Sequence, residues 1–164
     1  ERMTKSGLGT ASEKVGGVTV GAVFAVNAFG DVVDPETGKV IAGPRDIEKG
    51  GFASTVDVMK GLREAKSAVP ANTVIGVVAT DASLGKEQVI KVAQMAHNGL
   101  ARAIRPAHTM YDGDAIFALA TGREGQEDVT LIGSMAAELA ATAIVRAVRQ
   151  AEGLCGVPAA RDVM

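Results

Sequence analysis

An α/β layered fold is predicted by three observations. Apolar, β-branched runs without helical period occupy residues 18–27, 73–80 and 115–121, each the length of one strand. Residues 86–104 and 131–150 instead carry apolar side chains at helical spacing. The two patterns alternate along the chain, which favours strands joined by helices over an all-α or all-β unit. The 164 residues suit a single domain, and no repeat, low-complexity tract or linker divides them.

Taken in order, residues 5–17 are rich in Gly, Ser and Thr and predict a loop or a hairpin. Residues 18–27 then read as a strand buried on both faces and ending at Asn27. The turn Pro35-Glu36-Thr37-Gly38 separates two short strands, residues 31–34 and 39–43, as a hairpin. Residues 44–53 are loop-like, and Ser54 is expected to cap a helix from Thr55 to about Lys66, with Val58 and Leu62 on one side. Pro70 stops that helix, and a second buried strand opens at Thr73. After Gly85, the positions Val89, Val92, Ala93, Ala96, Leu100, Ala103 and Ile104 hold helical spacing to Pro106. A third strand covers residues 115–121, residues 122–128 form a polar surface loop, and an Ala-rich helix covers residues 131–150. The tail, residues 153–164, has no clear pattern.

Composition narrows the function. Hydrophobic residues make up 47% of the chain and aromatic ones only 3%, so the core must be built from Ala, Val, Ile, Leu and Met. Small side chains of this kind predict close approach of helices to the sheet. The formal net charge is -2 with both signs interspersed, which leaves no basic stripe for nucleic acid or an anionic membrane. No apolar run is expected to span a bilayer, because Ser134, Glu138 and Arg146 interrupt the richest one, which reads as a packed helix. Cys155 stands alone, so no intrachain disulfide forms, and a reducing, cytoplasmic setting is the expectation. The charged start has no hydrophobic stretch behind it and does not read as a signal peptide. Glu1 is not an initiator Met, so a fragment, a processed product or the ordered part of something longer is expected.

Familiar catalytic constellations are missing from the sequence. There is no His/Cys cluster for zinc, no G-x-S-x-G elbow and no phosphate-binding loop, since no helix follows Gly7-Leu8-Gly9-Thr10. His97 and His108 read as structural, and Cys155 as an ordinary thiol. Four less obvious places remain. Thr73 opens an apolar strand behind Asn72; were the chain cut between them, the α-amine freed on Thr73 would serve as base for its own hydroxyl. With an ordinary pKa near ~8, that amine is partly neutral at physiological pH. Read from spacing alone, Thr73 is simply a β-prone residue beginning a strand. Asn27 is either an oxyanion donor or a turn residue before Ala28-Phe29-Gly30. Asp112-Gly113-Asp114 is either an acid/base pair or a turn, and Lys5 reads locally as a solvated charge.

At these residues the pattern resembles a known family. The stretch Asn72-Thr73-Val74-Ile75-Gly76-Val77-Val78-Ala79-Thr80-Asp81 is similar to the self-cleavage segment of the self-processing D-aminopeptidases, β-peptidyl aminopeptidases and nylon-oligomer hydrolases. Gly99-Leu100-Ala101-Arg102-Ala103-Ile104-Arg105-Pro106-Ala107-His108-Thr109 and Asp112-Gly113-Asp114-Ala115-Ile116-Phe117 continue the likeness. So do Lys5-Ser6-Gly7-Leu8-Gly9-Thr10 and Val26-Asn27-Ala28-Phe29-Gly30, so that it covers nearly the whole chain.

The resemblance implies a four-layer α/β/β/α sandwich, with residues 1–72 ending an α fragment and residues 73–164 forming a β fragment after cleavage. Thr73 matches the nucleophile, Asn27 the oxyanion donor, and Lys5 a lysine whose ammonium stabilises developing negative charge. Asp112 and Asp114 match a pair that supports the nucleophile in the nylon-hydrolase branch; β-aminopeptidases carry Ser and Glu there. The implied activity is hydrolysis of a small peptide or amide through an acyl-enzyme, with no metal or organic cofactor, in a tetramer of cleaved protomers. The helix at residues 131–150 is then either an interface element or an internal layer helix. Family members are roughly twice as long, so their early strands and part of the substrate pocket would precede Glu1. The alternative is a non-catalytic or uncleaved binding domain that retains the fold.

Overall fold

The computed structural model describes residues 2–64 and 72–163. Strands β1 (Leu8–Val15) and β2 (Val18–Asn27) form the hairpin that the Gly-rich opening suggests. β2 pairs antiparallel with β5 (Thr73–Thr80), and β5 pairs parallel with β7 (Ala115–Ala120). Among the described residues this sheet runs β1-β2-β5-β7. A smaller sheet joins β3 (Asp31–Val33) to β4 (Val40–Ala42) on one side and to β6 (Ile104–Arg105) on the other. Helix α1 (Thr55–Glu64) follows β4, α2 (Lys86–Ala103) links β5 to β6, and α3 (Val129–Gln150) follows β7.

Period explains most of these elements. On β2, Val18, Val20, Ala22, Phe24 and Val26 alternate onto one face and are buried, as are Val74 and Val78 of β5. That face meets α3, which in turn lies along α2. Fully buried Phe24, Leu100, Ile132 and Ile144 each stabilise the fold by roughly 1.5–3 kcal/mol through removal from water. The expected close approach is present. A β-carbon on Gly99 would lie 2.0 Å from the Ala137 carbonyl oxygen, and one on Gly9 the same 2.0 Å from that of Ala143. Either substitution by Ala would push α3 off its neighbour.

Several expectations are corrected. β2 and β5 are not buried on both faces. The side of the sheet away from the helices exposes Leu8 by 62%, Ile75 by 50%, Phe117 by 61% and Leu119 by 46%. Doubly apolar strands carry the composition of a sheet covered twice, whereas the described helices cover one side. α2 ends at Ala103, and Ile104 and Arg105 extend to pair with Val32 and Asp31. Ser54 stands at the N-cap of α1 as expected, its carbonyl accepting the Val58 amide at 3.0 Å, and the first helical amide, that of Thr55, has a partner not foreseen, the Asp31 carboxylate of β3 at 3.0 Å. The predicted end of α1 near Lys66, and Pro70, lie outside the described residues.

By length and composition α3 could cross a membrane, contrary to the expectation that no run is long enough, but 72% of its apolar window is buried inside this fold. Glu138, one of the breaks in its apolar run, is exposed and pairs with Arg102 at 2.6 Å. The tail is ordered by packing: Ala159 and Ala160 are fully buried, and Ala159 bridges to Lys5.

Candidate active site

Asn27 and Thr73 are register partners at the end of the β2–β5 ladder. Direct partners in an antiparallel pair point to the same face. Both residues therefore belong to the open side, in line with Ala25 and Ile75. Asn27 is exposed and Thr73 half-buried. A strand end is a suitable place for chemistry, because side chains there project from a rigid ladder.

Asn72 is held from two sides. Its amide donates to the Tyr111 carbonyl at 3.1 Å, and its own carbonyl accepts from the Gly113 amide at 3.0 Å. Its side-chain amide reaches the Ala28 carbonyl at 3.4 Å, beside Asn27. The peptide between Asn72 and Thr73 thus lies between the end of β2 and residues 111–113. Gly113 is tightly placed: a β-carbon there would stand 2.9 Å from Thr73 Oγ1.

The two aspartates separate in role. Asp114 Oδ1 accepts the Val74 amide at 2.7 Å and so fixes the residue that follows Thr73. Asp112 Oδ2 instead accepts both the Thr109 amide and the Thr109 hydroxyl, each at 2.7 Å, closing a turn. Asp112 meets the segment before β5 through its backbone, which bridges to Asn72.

Lys5 is anchored by its amide on the Pro158 carbonyl at 2.8 Å, and its ammonium donates to the Ser6 carbonyl. The Ser6 hydroxyl donates to the Val26 carbonyl, and the Val26 amide to the Gly7 carbonyl at 2.9 Å. The Lys5 segment therefore runs beside the last residues of β2 and reaches Asn27 through Val26. Thr73 is paired with Asn27 across the ladder and Asp114 holds the next residue, Val74, whereas the Lys5 ammonium is bonded to the Ser6 carbonyl and the Asp112 carboxylate to Thr109.

Charge in the site is shaped by burial. Desolvation raises the Asp114 carboxyl above its ordinary value, the Val74 amide opposes this, and the Asp112 charge adds to it. His108 and His97 act on Asp114 in the opposite direction. Desolvation, helped by His108, holds the His97 imidazole below its ordinary value, while Asp114 opposes this. Among the described residues, no group of three or more His, Cys, Asp and Glu side chains is placed to hold a metal ion.

Residue-by-residue reading overlooked three parts. Gly113 reads as a turn glycine, and its contact with Thr73 is a tertiary fact without a local signal. His97 and His108 were set aside singly, yet their ring centroids lie 5.2 Å apart. The anchoring of Lys5 by residues 158–159 depends on a tail without periodicity.

The model of peptidase family S58 matches residues 2–161. An uncharacterized aminopeptidase of Mycobacterium tuberculosis (strain ATCC 25618 / H37Rv) is 39% identical over 179 residues, covering 97% of this chain and 52% of that protein. The 6-aminohexanoate-oligomer endohydrolase of Paenarthrobacter ureafaciens is 31% identical over 124 residues, covering 74% of this chain and 35% of its own length. Among solved structures, a Burkholderia sp. β-aminopeptidase superposes with a TM-score of 0.59 at 26% identity, covering 90% of this chain and 42% of that one. The L-aminopeptidase D-Ala-esterase/amidase of Ochrobactrum anthropi, described as a variant of the Ntn hydrolase fold, gives 0.61 at 23% identity, covering 96% and 44%. This chain spans about half or less of the length of these relatives. With a family match over nearly all its length and a 39% identical relative behind it, the chain belongs to peptidase family S58.

Proposed function

We propose that this chain is the C-terminal part of a self-processing amide hydrolase whose nucleophile is Thr73. The observation that carries the reading is the placement of Thr73: it heads β5 opposite Asn27, with its hydroxyl against Gly113 and the next amide held by Asp114. In the first step the Thr73 hydroxyl oxygen attacks the Asn72 carbonyl carbon. The Asn72–Thr73 amide breaks to an ester, and the Thr73 nitrogen takes up the hydroxyl proton. The Gly113 amide already donates to the Asn72 carbonyl oxygen and is placed to stabilise the charge that develops there. Water then hydrolyses the ester and leaves Thr73 with a free α-amine.

In turnover that amine accepts the hydroxyl proton as Thr73 attacks a substrate amide, and Asn27 donates its side-chain N–H to the oxyanion. The amine half of the substrate leaves, and water releases the acyl half. Small peptides or other short amides are the substrate class, in keeping with the aminopeptidase and amide-oligomer hydrolase names of the relatives. The open apolar sheet face fits a second layer supplied by the other part of a longer protein, completing a four-layer sandwich. Cleaved protomers assembled as a homotetramer in the cytoplasm complete the reading, with the exposed, unpaired Cys155 compatible with a reducing setting.

Hydrolysis of aminoacyl p-nitroanilides by the full-length protein tests this reading. Thr73→Ala abolishes release of p-nitroaniline and Thr73→Ser retains part of it. Undiminished hydrolysis by Thr73→Ala would move the nucleophile elsewhere.

A further inference from the structure

Asn72 forms a single parallel bridge with Asp112. Its N–H donates to the Tyr111 carbonyl at 3.1 Å, and its carbonyl accepts from the Gly113 amide at 3.0 Å. The loop that carries both partners is fixed without Asn72. The Asp112 carboxylate accepts the Thr109 amide and hydroxyl, each at 2.7 Å. The Tyr111 amide donates to the Thr109 hydroxyl at 3.2 Å, and the Asp112 amide to the Thr109 carbonyl at 3.2 Å. The Tyr111 ring also meets that of Phe29 at 5.3 Å, which ties the loop to the segment after β2.

We infer that the place of Asn72 is the acyl subsite of the cleaved enzyme, and that it selects amides whose acyl unit carries an N–H on the carbon next to the carbonyl. The inference rests on the proposed role of Thr73. One hydroxyl oxygen attacks the Asn72 carbonyl in self-cleavage and the substrate carbonyl in turnover, so the two carbonyls share one place. Departure of Asn72 leaves the Tyr111 carbonyl and the Gly113 amide without their partner, on a loop whose own hydrogen bonds keep its shape. A substrate that restores both bonds recovers what the cut removed. The two groups are spaced for an α-residue, with a single carbon between nitrogen and carbonyl. β- and ω-amino acyl units put further carbons between the two, so they cannot meet both partners in the strand geometry of Asn72. In the uncleaved chain the Asn72 nitrogen carries the acyl group of Ala71, so the Tyr111 carbonyl reads an N–H and not a charge. A free amine and an acylated one both serve.

The test compares a set of p-nitroanilides on the full-length protein, with Thr73→Ala as the control for the nucleophile. The alanyl and N-acetylalanyl compounds keep the N–H beside the carbonyl, and their kcat/KM values should lie within about tenfold of each other. The β-alanyl and propionyl compounds displace or lack it and should fall about 10- to 100-fold below both. A β-alanyl or propionyl rate matching the alanyl rate overturns the inference. So does loss of N-acetylalanyl hydrolysis, which would show that the charge of an ammonium is recognised. Either result, with hydrolysis still abolished in Thr73→Ala, overturns the inference alone and leaves the proposed nucleophile in place. A chain that never cleaves keeps Asn72 in the site and defeats both, so the two failures are told apart.

Discussion

The hydroxyl of Thr73 occupies the space that a side chain on Gly113 would need, the would-be β-carbon lying 2.9 Å from Thr73 Oγ1. Gly113→Ala must therefore displace the hydroxyl or turn it to another rotamer, a small change for the fold and a large one for a nucleophile. Cleavage and turnover should fall by about 10- to 100-fold, while the melting temperature stays nearly constant. Timed denaturing gels beside thermal melts would check this. A variant that cleaves at the normal rate would show that the Thr73 hydroxyl works from another position.

Asn27 faces Thr73 across the ladder, and a neutral amide aimed at an oxyanion acts where negative charge develops. In enzyme that has already been cleaved, Asn27→Ala should lower kcat by roughly two to three powers of ten, with KM and melting temperature little changed. Asn27→Asp should be at least as damaging, since an ionised carboxylate cannot donate and repels the oxyanion. Steady-state kinetics with near-normal kcat in both variants would return Asn27 to the status of a residue ending a strand.

The two aspartates should respond differently to amide replacement. Asp114→Asn alters the group holding the Val74 amide and should slow processing and turnover. Asp112→Asn disturbs a turn bonded to Thr109 and should lower stability by about 1 kcal/mol, with a smaller effect on rate. Equal kinetic losses in the two variants would contradict this division.

Much of the architecture is legible along the chain because each element carries its own period. Alternation places Val18 to Val26 on one face, and the spacing of Val92, Ala96 and Leu100 marks the buried stripe of α2. What escaped is contributed by residues remote in sequence. The partner of the Thr55 amide is Asp31, and the order of the tail comes from the pairing of Ala159 with Lys5. The site divides in the same way. Thr73, Asn27 and the Asp112-Gly113-Asp114 turn stand out once read together as motifs, although each alone is an ordinary strand or turn residue. The Gly113 contact and the His97–His108 pair exist only after folding.

Asp31 offers a test of stability against pH. Burial raises its carboxyl above the ordinary value of 3.8, while the Thr55 hydroxyl and amide pull against that rise. The native state therefore binds this proton more tightly than the unfolded chain. The stability it contributes is full below the unfolded pKa and is lost as pH climbs through the raised folded value. Denaturant unfolding at a series of pH values should show wild type gaining relative to Asp31→Asn on acidification. A difference that is flat or reversed between about pH 3 and pH 7 would contradict the assignment.

The central claim, that Thr73 becomes a free N-terminal nucleophile, is tested most directly by N-terminal sequencing with intact mass of the purified full-length protein. A fragment beginning Thr-Val-Ile-Gly-Val-Val should accumulate with time in wild type and be absent from Thr73→Ala. A well-folded wild-type sample that keeps a single intact chain through long incubation would contradict it.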